Sequence, residues 1–213
     1  MGQVLNFPAL KIYKMKPVFQ LLLCLSFLSY KNQKPRIKIG VYYYSTIDKN
    51  LRKALLQRIE ATYKCTITEM SGINILPAIA YYKPRNRYRA TIILDDLNRI
   101  TGFDKIIGIT AKDISTTSAG IYDWGIMDLG SCPGKACIIS TFRLKTPNRQ
   151  LFNARFIKVA LHEIGHNFGL PHCNFSRTCF MEAASGTIKS VDGETRFLCN
   201  DCKKKLDSIY KTE

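Results

Sequence analysis

Histidine is scarce in this sequence: its 213 residues contain three. Carboxylates are sparse too, with 16 Asp and Glu against 32 Lys and Arg, and none precedes Asp48. No apolar run reaches the roughly 18 to 20 residues of a spanning helix, which excludes a polytopic membrane protein. Glycine (13) and proline (8) are too few, and without period, for a collagen-like or linker-like chain. There is no internal repeat and no low-complexity tract. What is present is globular material: 46% hydrophobic and 11% aromatic residues suffice for a core and argue against a disordered chain. At this length one domain is the default.

The formal net charge is +16, unevenly spread. Residues 1–47 carry seven Lys and Arg and no acid, which leaves +9 for the remainder. Such a balance suits nucleic acid, an anionic surface or acidic substrates. No motif interleaves aromatic with basic residues, so a solvated basic face is the plainer reading and no nucleic-acid partner is expected.

Val18–Tyr30 (VFQLLLCLSFLSY) is mostly apolar, preceded by Lys11, Lys14 and Lys16 and followed by Lys31 and Lys34. A basic flank with a short apolar run describes an export signal, too short to span. Read from Met15, the segment makes a compact signal. Residues 1–34 are therefore expected to be an export signal or a disordered extension, with the folded domain at 35–213. If residues 15–30 act as a signal, the protein is exported or in the cell envelope; otherwise it is cytoplasmic.

Beyond this segment the pattern alternates. Arg36–Tyr44 reads as a strand from its β-branched and aromatic residues. Asp48 precedes a helical pattern through Leu51, Leu55, Leu56 and Ile59. Cys65–Met70 reads as a short strand, Tyr88–Ile100 as a helix and Lys105–Thr110 as a buried strand. Tyr122–Leu129 and Ala136–Thr141 read as strands about a turn at Gly130–Gly134. A helix follows from Asn153 to Gly169, where Pro171 prevents continuation. A charged helix closes the chain over Asp201–Tyr210. The class is α/β or α+β with a mixed sheet.

The chemistry lies in His162-Glu163-Ile164-Gly165-His166-Asn167-Phe168-Gly169-Leu170-Pro171-His172, which holds every histidine of the chain. His162 and His166, four apart on a helix, share one face. A turn at Gly169 brings His172 back as a third nitrogen ligand. Three neutral imidazoles leave a fourth zinc position open, the layout of a catalytic site. Zinc lowers the pKa of its bound water to about 7, and Glu163, on the adjoining flank, would act as general base.

Eight cysteines are many for such a chain, and four follow the histidines: Cys173, Cys179, Cys199 and Cys202. Four thiolates in two pairs suit a closed tetrahedral zinc site tying the His172 loop to the last helix. Disulfides are the alternative in an exported protein. Cys65 reads as a buried thiol. Cys132 and Cys137 flank C-P-G-K-A-C and would close a small loop only under oxidising conditions; neither is assigned.

The run from His162 to Cys202 resembles the archaemetzincin (archaelysin) family of zinc metalloproteases, in the metzincin clan. That family is recognised by H-E-x-x-H-x-x-G-x-x-H-C, a second Cys, x-Met, seventeen residues and C-x-x-C. Here Cys179-Phe180-Met181 is followed by seventeen residues and then Cys199 and Cys202. The family's first two cysteines are usually separated by four residues; here Asn174–Thr178 make five. The resemblance implies a compact zincin-like fold, with a twisted mixed sheet above the active-site helix. It implies that Met181 forms a Met-turn beneath the catalytic zinc. Asp104–Thr110 is similar to the family's central strand, and by the same likeness Tyr122–Leu129 would be the edge strand that holds an extended peptide.

The reading is a zinc-dependent peptidase acting on peptide or protein substrates, with two zinc ions per chain. His162, His166 and His172 would hold the catalytic ion, Glu163 would be the base and acid, and the four cysteines would hold a structural ion. Two rivals stay open: a catalytically silent zinc-stabilised binding module, which would be expected to lose Glu163, and a basic zinc protein that binds nucleic acid.

Overall fold

The computed structural model describes residues 36–183, 187–193, 195 and 197–212. The expected signal or extension at 1–34 lies outside the described residues. The main sheet grows from strands whose successive side chains are buried on opposite faces. Strands β1 (Lys38–Tyr43), β5 (Lys105–Thr110) and β9 (Ala136–Ser140) lie parallel, β1 to β5 and β5 to β9. Their odd-numbered residues, such as Ile39, Val41, Ile107, Ile109, Cys137 and Ile139, enter one core, while Ile106, Ala136 and Ile138 enter another. A strand buried on both faces must be covered by helices on both faces. Each fully buried aliphatic side chain contributes about 1.5–3 kcal/mol.

Helix α1 (Lys49–Tyr63) follows β1 and begins at Asp48, whose carboxylate accepts from the amides of Asn50 (3.1 Å) and Leu51 (3.0 Å). Leu51, Leu55, Ile59 and Tyr63 recur every four residues and are buried. The short strand β2 (Thr66–Glu69) returns parallel to β1. Helix α2 (Ala90–Asn98) buries Ala90, Ile93, Leu94 and Leu97 against the opposite face. Helix α3 (Arg149–Asn167) packs with α1 in the first core. Strand β8 (Asp128–Gly130) pairs antiparallel with β9 and completes the order β2-β1-β5-β9-β8.

A second sheet has the order β3-β4-β6-β7, formed by Tyr81–Tyr82, Arg87–Arg89, Ile114–Ser118 and Ile121–Ile126. Two helices remain, α4 (Ile188–Gly193) and α5 (Asn200–Thr212). The fold is mixed α/β, and among the described residues no helix is long and apolar enough to cross a membrane.

Several expectations are corrected in detail. The single strand expected over Tyr122–Leu129 breaks at Met127: Ile121–Ile126 belongs to the second sheet, and Asp128–Gly130 is the edge of the main one. Tyr88 lies in β4, not in a helix, because Arg89 is extended (φ −70°, ψ 111°) and helix α2 starts at Ala90. Helix α3 starts four residues before Asn153, since the Asn148 side chain accepts from the Leu151 amide (3.0 Å) and caps it. Cys132 and Cys137 are both free thiols, the first exposed and the second buried.

Candidate active site

Helix α3 carries His162, Glu163 and His166 into a cleft of about 590 Å³ beneath the free edge of β8. Asn167 fixes the helix there, its amide donating to the carbonyls of Ser131 and Ala136 (both 3.1 Å). The helix ends at Phe168, and Gly169 takes φ +91°. The chain folds back with Leu170 N donating to Gly165 O (2.9 Å), and His172 joins the other two rings. Ring centroids lie 4.5 Å (162–166), 4.7 Å (166–172) and 5.4 Å (162–172) apart. One nitrogen from each ring lies within 4.8 Å of the others.

The hydrogen bonds fix what these nitrogens present. His162 Nδ1 is 2.7 Å from Phe180 O, and His166 Nδ1 is 2.7 Å from Leu170 O. A carbonyl only accepts, so both Nδ1 atoms carry a hydrogen. Burial, then the neighbouring His166, pushes the His162 pKa down to about 3, and burial lowers that of His166. Both rings are therefore neutral, with lone pairs on Nε2, and those Nε2 atoms stand only 2.9 Å apart. Two lone pairs that close repel unless a cation lies between them and a third donor. The donor set fits a zinc ion.

Glu163 is buried and its carboxyl is hydrogen-bonded to that of Asp128 on β8. Burial, then the charge of Asp128, holds Glu163 well above the usual carboxylate range. Burial pushes Asp128 up to about 6. Asp128 was not singled out in the sequence, where it is one polar residue in an apparent strand. Only the break at Met127 turns it toward Glu163.

Met181 lies under the helix, where a Cβ on Gly165 would overlap its sulfur. Cys173 N donates to Met181 O (2.7 Å), closing the loop that carries His172. The sulfurs of Cys173, Cys179, Cys199 and Cys202 all lie within 4.8 Å of one another, with Cys173 and Cys199 at 3.6 Å. Tetrahedral zinc–sulfur bonds of about 2.3 Å place sulfurs about 3.8 Å apart, so this cluster also fits zinc. The fifth residue between Cys173 and Cys179 is absorbed in a turn, Cys179 N donating to Ser176 O (3.3 Å).

The sequence profile of peptidase family M54 matches residues 38–208. The chain belongs to this family. It is 34% identical over 157 residues to the archaemetzincin of Haloarcula marismortui, covering 70% of this chain and 87% of that one. It is 33% identical over 137 residues to the archaemetzincin of Methanopyrus kandleri, covering 64% of this chain and 75% of that one. The crystal structure of the Methanopyrus kandleri archaemetzincin superposes with a TM-score of 0.73 at 25% identity, covering 85% of this chain and 99% of that one. As a member of family M54 the chain is a zinc metallopeptidase, and its substrates are peptides or proteins.

Proposed function

We propose that His162, His166 and His172 hold the zinc at which peptide bonds are hydrolysed, and that Glu163 moves the proton. The observation that carries this reading is the pair of Nε2 atoms, 2.9 Å apart, whose rings both spend Nδ1–H on backbone carbonyls. Zinc bound there would lower the pKa of a water to about 7, polarise the scissile carbonyl and favour the ionised form of Glu163. Glu163 takes a proton from the attacking water and returns it to the leaving amine. With the zinc charge favouring ionised Glu163, the shared proton would pass from Glu163 to Asp128, which would then donate its hydrogen bond to Glu163 and fix the base against β8. The free edge of β8 and residues 124–127 give an extended peptide backbone groups to pair with. The four cysteines hold a second, structural zinc in this reading.

Metal analysis with turnover tests it. About two zincs per chain are expected by the ligand count, one lost in His166→Ala and the other in Cys199→Ser. Glu163→Gln should keep both ions and lose on the order of 10²–10⁴ in kcat. A Glu163→Gln protein that cleaves at the wild-type rate would remove the base from the mechanism, whereas a zinc-loaded wild-type protein that cleaves no peptide would favour the silent binding module.

A further inference from the structure

Arg143 belongs to the single turn Phe142–Leu144 that follows β9, and it is the one Lys or Arg among the described residues lining the cleft of the three histidines. Its guanidinium is held side-on: Nε donates to Asp113 Oδ1 (2.8 Å) and Nη2 to Asp113 Oδ2 (3.0 Å). Nη1 meets no protein acceptor among the described residues, and the side chain keeps 32% of its exposure. Asp113 is not neutralised by Arg143 alone, because Arg87 Nε also donates to it (2.7 Å). Arg87 reaches Asp123 as well (2.9 Å), and Arg85 lies 4.0 Å from that same carboxylate. Three guanidiniums on two carboxylates leave one positive charge.

The backbone makes room for this side chain. Gly125, on the cleft-lining strand β7, has no Cβ, and one placed there would overlap Arg143 Nη2. A fixed guanidinium with an unused N–H edge, in a cleft whose own carboxyls Asp128 and Glu163 are bonded to each other, is a built receptor for an anion. We propose that Arg143 selects substrates bearing a carboxylate beside the scissile bond, either an acidic side chain or the free C-terminus of a short peptide. This rests on the reading that peptides are cut in this cleft. A guanidinium that served only to brace the Phe142–Leu144 turn would give no substrate preference.

The test uses the zinc-loaded full chain and paired peptides. One arm exchanges Glu for Gln at each position flanking the cleaved bond; the other exchanges a C-terminal acid for its amide. In at least one arm the carboxylate peptide should have a kcat/KM about tenfold above its neutral partner, the scale of a partly exposed charge-assisted hydrogen bond. The arm that responds identifies the source. Arg143→Gln should bring the ratio to about one, and Gly125→Ala, which displaces the guanidinium tip while leaving the Asp113–Arg87 pair, should do the same. Zinc content and melting temperature check that both variants are folded. Calorimetric binding of the same peptides to zinc-loaded Glu163→Gln gives a readout apart from turnover, with the acid binding about tenfold tighter. Ratios within about twofold of one in every arm overturn the proposal, as does a preference that survives in both Arg143→Gln and Gly125→Ala. A protein that cleaves no peptide yet binds the acid tighter through Arg143 supports the proposal and refutes the hydrolytic reading instead.

Discussion

Replacing Gly165 by alanine sets two known effects against each other at one buried position. Gly165 lies in the interior of helix α3, where alanine gains about 1 kcal/mol of helix propensity. The added methyl would overlap Met181 Sδ and come within 3.0 Å of Tyr63 Oη, and both of those side chains are fully buried. Overpacking of this kind costs about 1–3 kcal/mol, because a close-packed interior has nowhere to send the displaced atoms. The expected result is a net loss of about 1 kcal/mol in the metal-free protein. A second consequence follows from the chain around Met181. Phe180 O orients His162 through its Nδ1 (2.7 Å), and Met181 O receives Cys173 N (2.7 Å). Backing Met181 away from the helix misaims both, and loss of such an outer contact typically lowers metal affinity 10–100-fold. Urea unfolding of metal-free and zinc-loaded protein, with zinc affinity from chelator competition, measures both terms. Adding Met181→Ala to Gly165→Ala removes the overlap, so the two substitutions should couple by about 1 kcal/mol or more. A Gly165→Ala protein that is more stable without metal and binds zinc unchanged would refute the reasoning, since Met181 would then yield without moving its neighbours.

Asp128→Asn should retain most activity, because an amide can donate to Glu163 as the protonated acid does, whereas Asp128→Ala should lose about tenfold in kcat with little change in KM. The same pair sets a pH dependence of stability. A carboxyl raised to about 6 in the folded protein stabilises it at low pH and loses that contribution as pH rises from about 4 through 6. Chemical denaturation of the metal-free protein across that range should show the decline, flattened in Asp128→Asn. The opposite sign holds for Asp192, whose pKa is lowered by hydrogen bonds from Arg155, Nε and Nη2 both at 2.7 Å. That contribution is present above about pH 4 and lost on further acidification, and Asp192→Asn should cost roughly 1 kcal/mol at neutral pH by the same denaturation assay. Cys199→Ser should lower the affinity of the remaining zinc by about tenfold, read by chelator competition, because the loop that carries His172 also carries Cys173 and Cys179.

Much of the frame is legible in the chain because burial imposes a period. The β1 segment reads as a strand from its β-branched and aromatic residues, β5 from a continuous apolar run and β9 from its place after a turn, and Asp48 announces helix α1 by its capping side chain. The histidine and cysteine spacings are legible for a different reason: ligands must converge on a point, and few spacings allow it. Of the second sheet only β7 was legible, within the strand read over Tyr122–Leu129. Ile114–Ser118 is largely Ser and Thr, with no apolar alternation, and it is held by pairing with β4 and β7 rather than by its own pattern. Helix α4, six residues long, is too short to express a period; it is tied to α3 by Arg155–Asp192 and by Lys158 donating to Val191 O. Asp128 and Arg143 escaped because their importance is positional. One depends on a strand changing sheets at Met127, the other on a glycine two residues before that break.

The two ligand clusters are joined through a single short loop, and that junction explains why they occur together. His172 and Cys173 are adjacent, so the third imidazole and the first thiol move as one unit. At the other end Cys179 precedes Phe180, whose carbonyl aims His162. Both ends of the loop are thus within one residue of a thiol and one residue of something that orients an imidazole. His172 is itself exposed and carries no hydrogen bond among the described contacts, unlike His162 and His166. Its position must come from its neighbours: Cys173 N on Met181 O, and, in the proposed reading, a zinc on the cysteine cluster that would anchor the loop to helix α5. A ligand held only by its backbone needs a rigid backbone, and a surface loop supplies little rigidity of its own. Four thiols on the proposed structural zinc would restrict it, and the constraint would cost the cleft no space, because every one of those sulfurs lies outside the lining of the cavity.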